Sequence, residues 1–358
     1  MDPETLRLEN CVNSHWRIIK AVKAAILFGP RDLRIENRPL DTSALGPDDI
    51  WARTVISAFK IGTDRGNYEG AEQVPGAPDY PRGVGDSNLA IIENVGQNVS
   101  RFSPGDRIVT RQMHQSEFVM YQHGSIIKVP DGVDSEDAVY AHLYALSALC
   151  YEKAQFRPGE NVAVVGVGVL GLGAIALGPL YGARVVALAN SDLRLDMAAR
   201  MGAHAGYLSS DPDLARKLDA FTDGDGIDLV ILTANPWPAY RTAVEVVRQN
   251  GRVSIVSLQG RGEDPLDFNP LDMAWFYNKG ISLIAASGSA GDDYPRADSD
   301  VLEADRRAAH VLSLMADGRL EPSRLITHRL HYTEMVKAYD MADLREKSML
   351  GVIFDWQE

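Results

Sequence analysis

"NVAVVGVGVLGLGAIALGPLYGARVVALANSD", residues 161–192, decides the fold. The apolar run Val162 to Val165 reads as a strand. It stops at Gly166-Val167-Gly168-Val169-Leu170-Gly171, a G-x-G-x-x-G turn, and an alanine-rich helix pattern follows. A glycine turn between strand and helix is a phosphate cradle. Gly166 makes the tight turn, Gly168 lets backbone approach a pyrophosphate, and Gly171 lets helix and strand pack closely. The backbone N–H groups at Val169 and Leu170 open the helix and offer donors to an anion.

The next strand bears on which dinucleotide is bound. A site for NAD places Asp or Glu about 20 residues after the turn, on the ribose 2′-hydroxyl. In "VVALANSDLR" that position is Ala189, and Asn190, Ser191 and Arg194 follow. A small neutral residue removes the charge that would repel a 2′-phosphate. Asn and Ser offer hydrogen bonds, and Arg offers a fork of donors. NADP(H) is the expected cofactor. Asp192 is the nearest acid, and a shift in register would restore an NAD-like acid there.

Further along, "LRLDMAARMGA" reads as helix, "IDLVILTA" as strand, "AYRTAVEVVRQNG" as helix and "RVSIVSL" as strand, with "GISLIAAS" ending the unit. Such alternation predicts a parallel sheet covered by helices. Before it lie short strands punctuated by Gly and Pro, from "KAAILF" to "SIIKVP", which predict a compact β-barrel-like domain. "DSEDAVYAHLYALSALCYEKA" has apolar residues at helical spacing, with acidic residues near its start. After the sheet come a helix from about Asp300 to Ala316, a helix at "TEMVKAYDMADL" and a closing strand, "MLGVIFDW".

The 358 residues suit about two domains. A net charge of −13 disfavours nucleic acid and anionic membranes as partners. No apolar run has the length of a membrane span. The polar N-terminal stretch lacks signal-peptide order and reads as a short extension. Two cysteines, Cys11 and Cys150, exclude a disulfide framework and a four-cysteine zinc site. A cytoplasmic location is expected.

With these motifs in place, the chain resembles the medium-chain dehydrogenase/reductase superfamily. "IGTDRGNYEG" matches its first active-site loop, "SRFSPGDRIV" its PGDRV turn, "RPGENVAVVGVGVLG" the start of its cofactor domain, and "LITHRLHYTEMVKAYD" its C-terminal return. The resemblance implies an α/β chain with a GroES-like β-barrel catalytic domain (1–155 and 296–358). A Rossmann doubly wound parallel-sheet NADP(H) domain (156–295) is inserted in it, and the active site lies in the cleft. It also implies a homodimer or homotetramer, often joined through the edge strand "GISLIAAS". Zinc-type members carry Cys in the first loop, then G-H-E, then a third ligand before the cofactor domain. This chain has Ile61, Gly85-Asp86-Ser87 and Ala141 at those places, so no metal is expected.

Without a metal, other groups must hydrogen-bond the oxygen that gains charge as hydride moves. Thr63 matches the family's hydroxyl relay position, and Asp64 beside it can order the loop or act as a base. Asp86 replaces the histidine ligand, and burial could raise its pKa into a useful range. His142, at a helix start, has an ordinary pKa of about 6.5 that suits proton transfer. His114, Tyr140 and Tyr68 are secondary candidates. These residues point to an oxidoreductase that interconverts a secondary alcohol and a ketone on a polar small molecule such as a sugar or cyclitol. Reduction of an activated C=C bond and non-catalytic NADPH binding are the alternatives.

Overall fold

The structure, a computed structural model, describes residues 19–71, 79–261, 263–286 and 298–357. The N-terminal extension, Cys11 and the expected 295/296 domain limit lie outside the described residues. Cα packing divides the described residues into two units: those up to His142 together with Thr327 onward, and those within Leu143–Ile326.

The first unit contains β1 (Ile19–Leu27), β2 (Leu33–Asp41), β3 (Asp49–Phe59), α1 (Ile61–Glu69), β4 (Arg82–Gly83), β5 (Asn88–Val95), β6 (Arg107–Thr110), β7 (Glu117–Tyr121), β8 (Ile126–Lys128) and α2 (Ser135–Ala138). Helix α3 (Ala141–Lys153) leads into the second unit: β9 (Asn161–Val165), α4 (Val169–Leu180), β10 (Arg184–Ala189), α5 (Asp192–Arg200), β11 (Ala205–Leu208), α6 (Leu214–Phe221), β12 (Ile227–Leu232), α7 (Trp237–Val246), β13 (Val247–Ile255), β14 (Ser282–Ala285) and α8 (Asp298–Ala316). The chain then returns to the first unit through β15 (Ile326–His331), α9 (Met335–Asp343) and β16 (Gly351–Asp355).

In the first unit, one sheet runs β2-β1-β4 and the other β15-β16-β3-β5-β6-β8, with β7 also paired to β3. The Ala25 N–H donates to the His114 carbonyl at 2.9 Å and the Ser116 N–H to the Lys23 carbonyl at 2.8 Å, which stitches β1 to the segment before β7. Ile50, Ala52, Ala90, Ile92, Ile108 and Phe118 form one core, and Phe59, Tyr68, Tyr339, Phe354 and Trp356 a second.

The second unit is one sheet in the order β11-β10-β9-β12-β13-β14, every pair parallel. All of β9 is buried, as a strand covered on both faces requires. The order reverses between β9 and β12, the topological switch point at which doubly wound sheets bind ligands. The glycine turn leaves the carboxyl end of β9 at that point.

Three elements differ from the sequence reading. The helical pattern over 134–154 is two helices, because the Asp134 carboxylate caps α2 by accepting from the Glu136 N–H at 2.8 Å and the chain turns at Val139-Tyr140. Strand β11 and helix α6 were not expected. Residues 61–69, which read as a loop, form α1, closed by Gly70 at φ 74°. Cα packing groups residues 143–155 with the second unit. Ser147 Oγ donates to the Leu170 carbonyl at 2.8 Å and Tyr151 Oη to the Ala174 carbonyl at 2.7 Å, so α3 is bolted to α4.

Candidate active site

The glycine turn belongs wholly to the second unit. Gly166 has φ 97°, and a Cβ there would stand 2.7 Å from Ala234 Cβ. At Gly171 a Cβ would meet the Gly166 carbonyl oxygen at 1.9 Å, so only glycine lets α4 cross β9 so closely. Gly168 is different: a Cβ there would meet nothing within 4 Å. That open space lies at the N-cap of α4, whose first turn holds no acid and whose cap has no side-chain hydrogen bond. The residues fit a dinucleotide pyrophosphate: free N–H donors at Val169 and Leu170, room above Gly168 and the positive end of a helix dipole.

Strand β10 ends at Ala189, with Asn190 exposed and Ser191 half-buried at the N-cap of α5. Asp192 is exposed in the first turn of α5. Arg194 reaches back from α5, and its Nη1 donates to the Val167 carbonyl at 2.5 Å. The guanidinium is therefore tied to the glycine turn at Val167, and burial lowers its pKa.

In the first unit, the candidate loop is helical because Asp64 turns inward. Its Oδ2 accepts the Lys60 N–H at 2.8 Å, and the side chain is 2% exposed. Burial, then the neighbouring Asp86 charge, pushes the Asp64 carboxyl up to about 7, against the opposing pull of Lys60 and the Tyr339 hydroxyl. Thr63 is exposed on the same helix. Tyr68 is committed to structure: its hydroxyl donates to Asp340 Oδ1 at 2.5 Å and its ring packs edge-on to Tyr339.

Asp86 corrects the sequence reading. Burial alone would raise its pKa, but Lys60 and Arg111 outweigh burial and hold it below the ordinary value. Lys60 Nζ pairs with Asp86 Oδ1, and Arg111 Nη2 lies 3.4 Å from Asp86 Oδ2. His142 corrects it too. Burial, then Arg111, pushes its pKa down to about 4, so the ring is neutral at physiological pH, with Nε2 3.4 Å from the Val109 carbonyl. His114 is fully buried, its Nδ1 2.8 Å from Ser57 Oγ, which also accepts the Trp356 indole N–H at 2.9 Å. Burial likewise pushes His114 to about 4. Tyr140 is core.

The structure thus gathers Asp64 and Asp86 around Lys60, with His114 and His142 close enough to feel the same charges. Lys60, Arg111 and Tyr339 were missed from sequence. A lysine directly before the altered loop position, in "FKIGTD", was the available signal for the first; the other two are brought in only by the fold.

The α/β fold, with its parallel sheet and glycine turn, is shared with solved dehydrogenase structures. Residues 169–303 match the family of zinc-binding dehydrogenases. The sorbitol dehydrogenase of Bacillus subtilis (strain 168) is 24% identical over 307 residues, covering 74% of this chain and 86% of that protein. The L-threonine 3-dehydrogenase of Anaeromyxobacter dehalogenans (strain 2CP-C) is 24% identical over 345 residues, covering 87% and 92%. An alcohol dehydrogenase from Escherichia coli CFT073, solved in complex with NADH, superimposes with a TM-score of 0.75 at 18% identity, covering 94% of this chain and 99% of that one. The chain is thus similar to zinc-type alcohol dehydrogenase-like proteins in both sequence and fold.

A zinc ion, which the sequence resemblance would imply, does not fit the residues present. Ile61 packs against the second core of the first unit, and Ala141 is fully buried and has no donor. The carboxylate of Asp86 is already shared between two cations. A divalent ion would have to displace both, against their charge.

Proposed function

We propose that this chain is a metal-independent, NADP(H)-dependent oxidoreductase that interconverts a secondary alcohol and a ketone on a polar small molecule. The observation that carries the reading is the Lys60–Asp86–Arg111 ion cluster beside a buried, neutrally poised Asp64. It supplies fixed charge and an exchangeable proton where zinc-type relatives carry a metal. Asp64 is the proton-exchanging group, Thr63 the exposed hydroxyl next to it, and Asp86 the anchor that keeps the cluster together. His142, neutral, serves as a hydrogen-bond donor.

Gly166, Gly168, Val169, Leu170 and Gly171 hold the pyrophosphate in this reading. Asn190, Ser191 and Arg194 receive a 2′-phosphate. The neutral end of β10 at Ala189 supports NADP(H), although the solved relative above binds NADH. The names of the relatives, acting on sorbitol and on L-threonine, support a hydroxylated substrate.

Fluorescence titration decides the cofactor. NADPH should bind about tenfold or more tighter than NADH, roughly 1.4 kcal/mol, and Arg194→Gln should erase most of that difference. Equal affinities in the native chain refute the cofactor assignment. Turnover is then sought with NADP+ against a polyol panel that includes sorbitol and 2,3-butanediol. Oxidation of NADPH by enones but by no ketone would move the reading to C=C reduction.

A further inference from the structure

Two cations converge on one carboxylate in the first unit. Lys60 Nζ meets Asp86 Oδ1 and Arg111 Nη2 approaches Asp86 Oδ2. Of the two, Lys60 is the better fixed. Its side chain is 17% exposed against 39% for Arg111, and its own backbone N–H is tied to Asp64 Oδ2 at 2.8 Å. It is held at both ends, by Asp64 at the backbone and by Asp86 at the ammonium. An ammonium has three donors and Asp86 engages one side of it. With Asp64 protonated, the four groups carry one net positive charge; with Asp64 ionised they carry none.

We propose that Lys60 is the electrophile of the oxidoreductase reading given above, on which this inference rests: its ammonium, fixed by Asp86, donates a hydrogen bond to the substrate oxygen in the role a metal plays elsewhere. A bound dihydronicotinamide would supply the hydride that forms the new C–H bond. As the C=O π pair passes to oxygen, the Lys60 ammonium holds that oxygen and protonated Asp64 gives it one proton, leaving the alcohol and the Asp64 carboxylate. Lys60 remains an ammonium throughout. A preorganised donor is stronger here than in water because no reorganisation is needed as charge develops.

The first test needs no turnover. Trifluoroacetamide, a carbonyl probe that takes no hydride, is titrated into the full chain with NADPH and followed by 19F NMR. The native chain should bind it, Lys60→Met should bind it about tenfold more weakly or worse, and Lys60→Arg should keep most of the affinity. Lys60→Met leaves Asp86 its Arg111 partner, and a thermal melt confirms that the variant folds. Absence of probe binding by the native chain, or equal binding by Lys60→Met, overturns the proposal. So does one zinc per chain in metal analysis of the purified protein.

In turnover with NADP+ and a polyol, Lys60→Met should lower kcat by about 10²- to 10³-fold with KM for NADP+ unchanged. An unchanged kcat overturns the proposal as well. Failure of the broader reading is separately visible, as a native chain that binds the probe through Lys60 yet neither distinguishes NADPH nor turns over.

Discussion

Asp64 is a carboxyl buried beside a second carboxylate, and this makes its protonation a folding variable. Its folded-state pKa of about 7 lies above the ordinary value of 3.8. Between those two pH values the folded chain holds a proton that the unfolded chain has released. Stability from this group is therefore complete below about pH 4 and is lost as pH rises towards 7, at about 1.4 kcal/mol per pH unit. Asp86, Lys60 and Tyr339 are the charged and titratable groups that face it. His114 and His142 run the other way: with folded values of about 4, they cost stability as pH falls from about 6.5. Asp64→Asn keeps an acceptor for the Lys60 N–H and cannot ionise. Relative to the native chain it should gain on the order of 1–3 kcal/mol between pH 5 and pH 8 in urea unfolding. A difference that stays flat across that range would show that Asp64 does not titrate there.

At the scale of the element, the N-terminus of α4 separates folding from binding. Gly171→Ala drives a Cβ into the Gly166 carbonyl, a backbone atom that cannot yield, so the turn must open and the chain lose stability by about 2 kcal/mol or more. Gly168 has an ordinary φ of −99° and empty space above it. Gly168→Ala should melt within a degree or two of the native chain, yet bind NADPH at least about tenfold more weakly, because the methyl fills the pyrophosphate's place. Melting curves beside NADPH titrations check both variants; a Gly168→Ala chain that binds normally would place the dinucleotide elsewhere.

This turn was legible in the sequence because all its determinants are local: a buried strand, three glycines and a helix within one stretch. Helix α1 was not legible. Gly62, Gly66 and Gly70 read as loop, and the helix is held by Asp64 on Lys60 and by Tyr68 on Asp340, the second of which the fold alone supplies. Strand β11 escaped because Ala205–Leu208 is only half-buried at the sheet edge, so it lacks an apolar signature. The ion cluster was legible only in part: Asp86 stood out and Lys60 lay beside the altered loop, but Lys60, Asp86 and Arg111 come from three separate segments that the fold alone brings together.

On the scale of the whole molecule, the two units differ in how the chain builds them. Among the described residues, the second unit comes from one run within 143–326, whereas the first unit needs the chain to return. Strand β16 pairs antiparallel with β3, Val352 opposite Phe59 through Asp355 opposite Ile56. Phe354 is fully buried between Phe59 and His114, and the Trp356 indole donates to Ser57. Losing a buried aromatic costs about 3–5 kcal/mol, so removing both, with the strand's hydrogen bonds, takes away about as much as the roughly 5–15 kcal/mol that keeps a domain folded. A chain ending at residue 345 should therefore lose its first unit and keep its second. Hydrogen exchange read by mass spectrometry should show residues 19–142 exchanging freely while 161–256 stay protected, and NADPH should still bind, since every residue assigned to it lies in the second unit. Loss of protection throughout the chain would mean that the two units fold as one cooperative body, and that the cofactor site depends on the C-terminal strand despite sharing no residue with it.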